Sequence, residues 1–378
     1  MNSIVYVGMD VHKNSYSLCC YDPSKQVFFS EVTTKADYKM IVRYLKKVKE
    51  RHPEIQAFQC GYEAGGLGFS LYKNLTAVQI SCVIMAPSTI YRNGSRVKTD
   101  RLDARRLAQA LAFGGYHAVH IPDDEDEQTR EFLRMRDFYK RERKKVKQAI
   151  IAFCQRQGFV YSTTKHYWTI AHLKWLKNLT CSAALYQEIL DEYLHSYDEL
   201  TNKLERLDQR VEELAFQDRY QEGTAHLCCF RGISVVSALA IQAEIGDFSR
   251  FATAKQLSAY LGLVPGEASS GEHQCYTSLT KAGNKFIRTL LIEASQSYGR
   301  GSASFKSKAV KARQKGQPAA IIHYADKATH RLMTRFRRMQ LRGLSHNVIK
   351  AATARELACF IWGMMTGHIE DRPAYAAH

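Results

Sequence analysis

Two acidic residues directly follow short apolar segments in the first part of the chain. Asp10 comes after the apolar run 4–9, and Glu63 comes after the run that ends at Tyr62. The ends of strands in an α/β sheet border the crevice where ligands usually bind. We therefore expect these two carboxylates to meet at one ligand site.

A second pair of acids, Asp100 and Asp103, lies at the start of a helix predicted over 100–113. Residues three apart share one helix face, so both carboxylates project in the same direction. Taken alone, the pair is equally well explained by the helix dipole, which favours acids in the first turn of any surface helix. Together with Asp10 and Glu63, it makes a set of four oxygen donors.

Four carboxylates with no histidine or cysteine beside them are typical of a site for Mg²⁺ or Mn²⁺ and not for zinc, because these hard cations prefer oxygen ligands. Two such ions about 4 Å apart can activate an attacking oxygen and stabilise a leaving oxygen. The set of Asp10, Glu63, Asp100 and Asp103 therefore predicts metal-assisted phosphoryl transfer.

The elements that must position these acids follow from the spacing of apolar residues. Strand-like runs occur at 4–9, 16–21, 27–32, 56–62 and 79–85. Helical spacing occurs at 38–49 and 67–75. Three antiparallel strands followed by crossover helices predict a mixed α/β sheet.

A long helix predicted over 125–156 carries a dense run of basic residues between positions 134 and 147. A solvated helix face is the ordinary explanation for a charge run, but here the excess is of one sign and Phe138 and Tyr139 interrupt it. We therefore predict contact with a nucleic-acid backbone. The residues chosen from this helix are Arg134, Arg141, Lys144 and Lys145.

Further along, apolar residues spaced alternately three and four apart form a seam from Tyr186 to Leu214. Such a seam predicts a coiled coil. The charged residues beside it suit pairing within the chain or between two chains. We expect the protein to form homo-oligomers.

Length and composition limit the class of protein. A chain of 378 residues with 45% apolar residues can bury more than one core, so two globular domains with a connecting segment are expected. The 54 lysines and arginines against 37 acids give a formal charge of +17, and the last 78 residues alone carry +10. That excess indicates a polyanionic partner, and nucleic acid is the leading candidate.

The sequence disfavours a zinc-binding protein and a membrane-spanning protein. The ten cysteines show no spacing that would chelate zinc, so we interpret them as reduced structural thiols. The longest late apolar run, at 358–365, is too short to span a bilayer. We predict a cytoplasmic protein with no membrane partner.

Three segments around the acids resemble the motifs of a known family. They are GMDVHK at 8–13, EAGG at 63–66 and KTDRLDAR at 98–105. These segments are similar to those of the DEDD insertion-sequence transposases of the IS110 type, which include the Piv invertase. The resemblance implies an N-terminal domain like the Holliday-junction resolvase RuvC, with an RNase H-like fold, in which Asp10, Glu63, Asp100 and Asp103 bind the metal.

The second half of the chain resembles the C-terminal transposase domain of the same family. The matching segments are LGLVP at 261–265, SSG at 269–271 and TKAGN at 280–284, followed by Arg288. In the family a serine before glycine is the nucleophile, and the resemblance places it at Ser270, with Ser269 as the alternative. From the residues alone, both serines would be ordinary loop residues.

The resemblance also implies partners for the chain. A structured non-coding RNA would base-pair with donor and target DNA and supply the sequence specificity, while the protein would act as a dimer or tetramer. Four basic residues of the second half are predicted to contact nucleic acid, namely Lys281, Arg288, Arg335 and Arg338.

The predicted domain organisation combines these motifs. A RuvC-like catalytic domain is expected at 1–158, a helical coiled-coil linker at 159–222 and a mainly helical transposase domain with the serine nucleophile at 223–378.

One segment departs from the family pattern. Residues 230–234 read FRGIS, where relatives carry a Gly-Ile-Gly hairpin that offers backbone N–H groups to phosphate, and Ser234 replaces the second glycine. We expect the turn to survive, although a side chain hinders the close backbone approach that glycine permits.

Two other functions share these residues. A hydrolytic junction-resolving nuclease would use the carboxylates with water as the nucleophile, which would leave Ser270 as a structural loop residue. A decayed transposase that only binds nucleic acid would be expected to have lost a metal ligand, and all four acids are present.

Overall fold

The computed structural model describes residues 4–87, 99–162, 166–267 and 275–369. The chain divides into two compact units, Met1–Ile121 and Pro122–His378. Each unit buries its own hydrophobic core.

The first unit alternates strands and helices. Its elements are β1 (Ile4–Val11), β2 (Ser15–Asp22), β3 (Val27–Lys35), α1 (Tyr38–Arg51), β4 (Ala57–Glu63), α2 (Ser70–Ala77), β5 (Ser81–Met85) and α3 (Asp100–Phe113). The strands form one sheet in the order β3-β2-β1-β4-β5. β2 is antiparallel to β1 and β3, whereas β4 is parallel to β1 and β5. The predicted mixed α/β sheet is confirmed, and its strand order is consistent with an RNase H-like fold.

Helix α1 covers one face of this sheet. Its apolar residues Ile41 and Leu45 are buried in the same core as Val7 and Met9 of β1. Because side chains alternate along a strand, the side chain of Asp10 points to the opposite face of the sheet. That opposite face is the one where α3 packs.

The second unit is mostly helical within the described residues, as predicted. Its elements are α4 (Asp124–Arg156), α5 (Ile170–Lys177), α6 (Ala184–Ala215), α7 (Asp218–Cys228), α8 (Val235–Ile245), α9 (Ala254–Tyr260), β6 (Pro265–Glu267), β7 (Tyr276–Leu279), α10 (Lys285–Ser295), α11 (Lys308–Gln314), α12 (Ala319–Leu341) and α13 (His346–Met365). None of the helices in the described part of the chain is long and apolar enough to cross a lipid bilayer.

Helices α4 and α6 pack against each other in antiparallel directions. The Nζ atom of Lys203 in α6 lies 4.1 Å from the ring centre of Tyr139, and the Nζ atom of Lys147 in α4 lies 5.4 Å from the ring centre of Tyr197. The two helices share a core at the end of this pair. The apolar seam of α6 therefore has a partner helix in its own chain, and a coiled coil stays a prediction.

Helix α4 also packs against α8, and it belongs to the second compact unit, which begins at Pro122. The domain boundaries predicted at 158 and 222 stay predictions.

Candidate metal centre and nucleic-acid contacts

Two glycines on neighbouring strands let α3 lie directly on the sheet. Gly8 of β1 and Gly61 of β4 are register partners. A Cβ atom at Gly8 would lie 2.0 Å from the carbonyl oxygen of Ala104 and 2.3 Å from the backbone nitrogen of Ala108, and a Cβ atom at Gly61 would lie 2.8 Å from the side chain of Leu111. The backbone of α3 therefore approaches β1 more closely than any side chain at Gly8 would permit.

This close approach brings the first turn of α3 to the end of β1. Asp10 lies on the same face of β1 as Gly8, because the two are separated by one residue of the strand. Thr99 is the N-cap of α3, so Asp100 lies in the first turn. Among the described residues, ligand atoms of Asp10, His12 and Asp100 lie within 4.8 Å of one another.

The histidine in this group was missed by the sequence analysis. His12 Nε2 lies 3.2 Å from Asp10 Oδ2 and 3.7 Å from Asp100 Oδ1. The prediction that no histidine lies beside the four acids is therefore wrong. The sequence could have indicated His12, because it follows Asp10 by two residues at the end of a strand. Side chains two residues apart in a strand point to the same face of the sheet.

Glu63 reaches the same end of the sheet from the neighbouring strand. The parallel register joins Met9 to Tyr62, so Asp10 and Glu63 are the next residues along the adjacent strands. Glu63 is also the register partner of Met85 at the end of β5. The structure thus brings Asp10, Asp100 and the backbone of Glu63 to the same end of the strands.

The charges of the acids at this end of the strands favour the binding of a cation. Burial raises the pKa of the Asp10 carboxyl above its ordinary value; the nearby imidazole of His12 lowers it, and the charges of Asp100 and Asp103 raise it further. Arg106 Nη1 donates to Asp103 Oδ1 at 3.0 Å. Neighbouring carboxylates that repel one another, with oxygen donors and one imidazole, fit a divalent cation.

Comparison with known proteins decides the family. A family model of DEDD transposases of the IS110 type, described as a transposase, matches residues 7–157. A second model, described as the transposase IS116/IS110/IS902 family, matches residues 225–309. The chain is 30% identical over 347 residues to the transposase for insertion sequence element IS1533 of Leptospira borgpetersenii, a match that covers 90% of this chain and 98% of the relative. It is 25% identical over 368 residues to the transposase for insertion sequence element IS1111A of Coxiella burnetii, with 97% and 91% covered.

The chain belongs to the IS110 family of transposases. Membership implies an enzyme that cleaves and rejoins DNA, with DNA as its substrate. A DEDD domain also implies a divalent metal, and the cluster of Asp10, His12 and Asp100 lies inside the matched residues.

Ser270, the predicted nucleophile of this transposase, lies outside the described residues, as does Ser269. The strands on either side of them, β6 and β7, are described. They pair antiparallel, with Pro265 opposite Leu279.

The base of this hairpin is closely packed. Gly283 has a φ of 65°, and a Cβ atom there would lie 1.8 Å from the carbonyl oxygen of Tyr260. The buried guanidinium of Arg288 donates to the carbonyl oxygens of Leu261 at 2.9 Å and Ala282 at 2.8 Å. Arg288 thus joins two segments of the family motif, and its predicted contact with nucleic acid stays a prediction.

The other basic residues predicted to contact nucleic acid fall into two groups. Members of the first group form ion pairs within the fold: Arg134 with Glu244, Arg141 with Asp137, Lys145 with Glu142 and Arg335 with Glu356. Members of the second group, Lys144, Lys281 and Arg338, are exposed and form no ion pair with any described residue. The side chains of the second group are more available to bind the phosphates of nucleic acid. The nucleic-acid contacts of both groups stay predictions.

The turn between α7 and α8 is intact in spite of Ser234. Gly232 has a φ of 85°, which favours glycine. Ser234 has a φ of −99° and is the N-cap of α8, with its Oγ accepting a hydrogen bond from the backbone nitrogen of Ser237. The serine therefore stabilises the start of α8 at a position whose conformation does not require glycine.

Proposed function

We propose that this transposase exchanges DNA strands through the hydroxyl of Ser270, assisted by Mg²⁺ or Mn²⁺ held by Asp10, Glu63, Asp100 and Asp103. The observation that carries the metal part of the proposal is the convergence of Asp10 and Asp100 at one end of the strands, where their ligand atoms and that of His12 all lie within 4.8 Å of one another. Asp10 and Asp100 are 90 positions apart in the sequence, so local spacing alone does not explain their proximity.

When bound, the cations would supply Lewis-acid polarisation of the scissile phosphate. The packing of α3 on Gly8 supports the proposal, because it keeps the first turn of the helix, which carries Asp100, close to Asp10. Ser270 Oγ attacks phosphorus, so a phosphoserine bond forms while the bond from phosphorus to a bridging DNA oxygen breaks. The serine proton passes to solvent, and the leaving oxygen takes up a proton. Attack by the hydroxyl of the new DNA strand reverses these steps and needs no external energy.

A structured non-coding RNA chooses the donor and target in this proposal. The formal charge of +17 supports it, because a protein that delegates sequence choice to base pairing needs many phosphate contacts. The active form is a homo-oligomer.

The nucleophile is tested by recombination of a plasmid that carries both element ends, with the RNA supplied in trans. Ser270→Ala is expected to abolish recombination and the protein–DNA adduct that survives a denaturing gel, while DNA binding persists. Ser269→Ala is the matched control and should retain both. If Ser270→Ala still recombines while Asp10→Asn does not, the serine mechanism is wrong and a water nucleophile replaces it.

The metal centre is tested by titrating the full chain with Mn²⁺ and measuring free ion by electron paramagnetic resonance. Asp10→Asn should lose binding. Glu50→Gln removes an exposed acid from α1 and should bind as the wild type does. Equal Mn²⁺ binding by the wild type, Asp10→Asn and Glu50→Gln would show that the metal centre is wrongly assigned.

RNA guidance is tested by adding transcripts of the non-coding region beside the gene to the same plasmid assay. A scrambled transcript of equal length is the control. Recombination that is equally fast without the matching transcript would rule out the guide.

A further inference from the structure

The edge strand β3 carries a bulge beside the metal centre's helix. Leu18 pairs with Val32, and Cys20 pairs with Phe29, so positions 30 and 31 of β3 face the single position 19 of β2. Ser30 has a φ of 54°, an uncommon conformation for a residue with a side chain. Bulges of this kind turn a side chain away from its regular direction.

Helix α1 holds this bulge in place. The Tyr44 hydroxyl donates to the carbonyl oxygen of Ser30 at 2.6 Å and also contacts Cys20 Sγ at 3.1 Å. Burial raises the pKa of Tyr44 above its ordinary value, so the hydroxyl remains a proton donor. The bulge is therefore a fixed feature of the sheet edge.

The bulge places Glu31 against two arginines of α3. Glu31 Oε1 accepts a hydrogen bond from Arg105 Nε at 2.5 Å, and Oε2 accepts one from Arg101 Nε. The Glu31 side chain is only 14% exposed. The guanidinium of Arg105 also lies 5.3 Å from the ring centre of Phe28. One carboxylate thus joins β3 to two successive turns of the helix.

The arginines and the metal-centre acids lie on opposite flanks of α3. At about 100° per residue, Asp100 and Asp103 project to one side of the helix and Arg101 and Arg105 to the other. The sheet order agrees with this, since Asp10 is on the central strand β1 and β3 is at the edge. Repulsion between like-charged carboxylates would favour movement of the first turn of α3 away from β1, and the hydrogen bonds of Glu31 restrain the opposite flank of the helix.

We infer that Glu31 is a positioning residue of the metal centre. Through its two arginines it fixes the rotation of α3 about the helix axis, and this rotation directs Asp100 and Asp103 at Asp10. The inference rests on the proposed function, which puts metal at these acids. Replacing a residue that is hydrogen-bonded to a metal ligand commonly changes metal affinity by about 10-fold to 100-fold. Glu31 acts through the helix and not on a ligand directly, so we expect an effect at the lower end of this range.

The test measures Mn²⁺ affinity of the full chain, with thermal unfolding in metal-free buffer recorded for each variant. Glu31→Gln keeps the size of the side chain and removes its charge, and we expect the Mn²⁺ dissociation constant to rise about tenfold. Glu50→Gln is the matched control and should leave the constant unchanged. Affinity of Glu31→Gln within twofold of the wild type would overturn the inference.

A thermodynamic cycle separates positioning from general loss of structure. If Glu31 acts through the arginines, Arg101→Gln with Arg105→Gln should weaken Mn²⁺ binding, and adding Glu31→Gln should weaken it no further. Losses that simply multiply would contradict the inference. If Glu31→Gln fails to fold, the Mn²⁺ affinity of Arg101→Gln alone tests the inference. The Arg101 side chain is 68% exposed, so the fold should tolerate this substitution. It must weaken Mn²⁺ binding severalfold, and wild-type affinity would overturn the inference.

Asp10→Asn distinguishes this inference from the proposed function. If Asp10→Asn binds Mn²⁺ as the wild type does, the metal centre itself is wrong, and the inference falls with it. If Asp10→Asn loses binding while Glu31→Gln keeps it, only the role of Glu31 is wrong.

Discussion

At the scale of single residues, the arrangement of the metal centre depends on Gly8 having no side chain. The helix that carries Asp100 and Asp103 touches β1 backbone to backbone at this position. Any Cβ atom there would push α3 outward and would carry both acids away from Asp10.

Gly8→Ala is therefore expected to lower the free energy of unfolding by about 3 kcal/mol, as overpacking of a closed core does. The added Cβ would lie 2.0 Å from a backbone oxygen that belongs to a helix and cannot rotate away. Urea unfolding followed by circular dichroism measures the change. Gly115→Ala is the control, because a Cβ there meets nothing within 4 Å, and its effect should stay within about 0.5 kcal/mol. Equal stability of the two variants would show that α3 can move freely.

At the scale of elements, one buried carboxylate joins α4, α8 and α10. Glu244 of α8 has a side chain only 2% exposed, and it pairs with Arg134 of α4 at 3.0 Å. Asn284, the N-cap of α10, donates to the same carboxylate at 2.7 Å. Arg134 therefore has a partner inside the fold that the charge run of α4 does not reveal.

Arg134→Ala is expected to lower the free energy of unfolding by about 2 kcal/mol, because a buried carboxylate loses its charged hydrogen-bond donor. Arg141→Ala is the matched change on the same helix. It removes an exposed pair with Asp137 and should cost less than about 0.5 kcal/mol. Urea unfolding of both variants gives the comparison. Unchanged stability of Arg134→Ala, with weakened DNA binding, would instead support a direct contact with nucleic acid.

A second element-scale feature is the aromatic cluster where α5 packs at the end of the α4 and α6 pair. His172 is fully buried there, 4.8 Å from the ring centre of Tyr161 and 5.0 Å from that of Tyr167. Neither ring nitrogen has a hydrogen-bond partner among the described residues. Burial lowers the pKa of His172 below its ordinary value of 6.5.

The pH dependence of stability follows from this shift. In the unfolded chain His172 gains its proton near pH 6.5, whereas the folded chain resists protonation to lower pH. Its stabilising contribution is complete above that pH and is lost as the pH falls, at no more than about 1.4 kcal/mol per pH unit. Urea unfolding at pH 7.5, 6.5 and 5.5 should therefore show a steeper loss for the wild type than for His172→Phe. His323→Gln, at an exposed position, should keep the wild-type slope, and parallel curves for all three proteins would contradict the prediction.

At the scale of the whole molecule, the charge of +17 makes DNA binding sensitive to salt. Only basic groups that are not already paired with acids in the fold are fully available to replace the counterions of DNA. By this criterion Lys144 and Arg338 are stronger candidates than Arg134 or Arg335, whose guanidinium groups pair with Glu244 and Glu356.

Lys144→Gln and Arg338→Gln are each expected to reduce the slope of log affinity against log salt by about 0.9, the loss of one phosphate contact. Fluorescence anisotropy with duplex DNA between low and moderate salt measures the slope. Lys177→Gln is the control, because its ammonium pairs with Asp198 at 2.8 Å. A slope that changes equally in all three variants would indicate a diffuse charge effect without specific contacts.

The sequence by itself determined the mixed sheet, the helical second half and the four acids of the proposed site. Short apolar runs, helical spacing and the position of an acid at the end of an apolar run depend on neighbours a few residues away, so they can be read along the chain. The family motifs extended this reading to Ser270, which stays a prediction.

Only the tertiary structure decided which side chains are partners. It brought His12 to the acids, tied Glu31 to a helix 70 positions later and enclosed Arg288 between two backbone carbonyls. No local pattern specifies such contacts, because a charged side chain looks the same in sequence whether it faces solvent, phosphate or a buried carboxylate. The choice depends on how closely the backbones pack, as Gly8 and α3 do in the first unit.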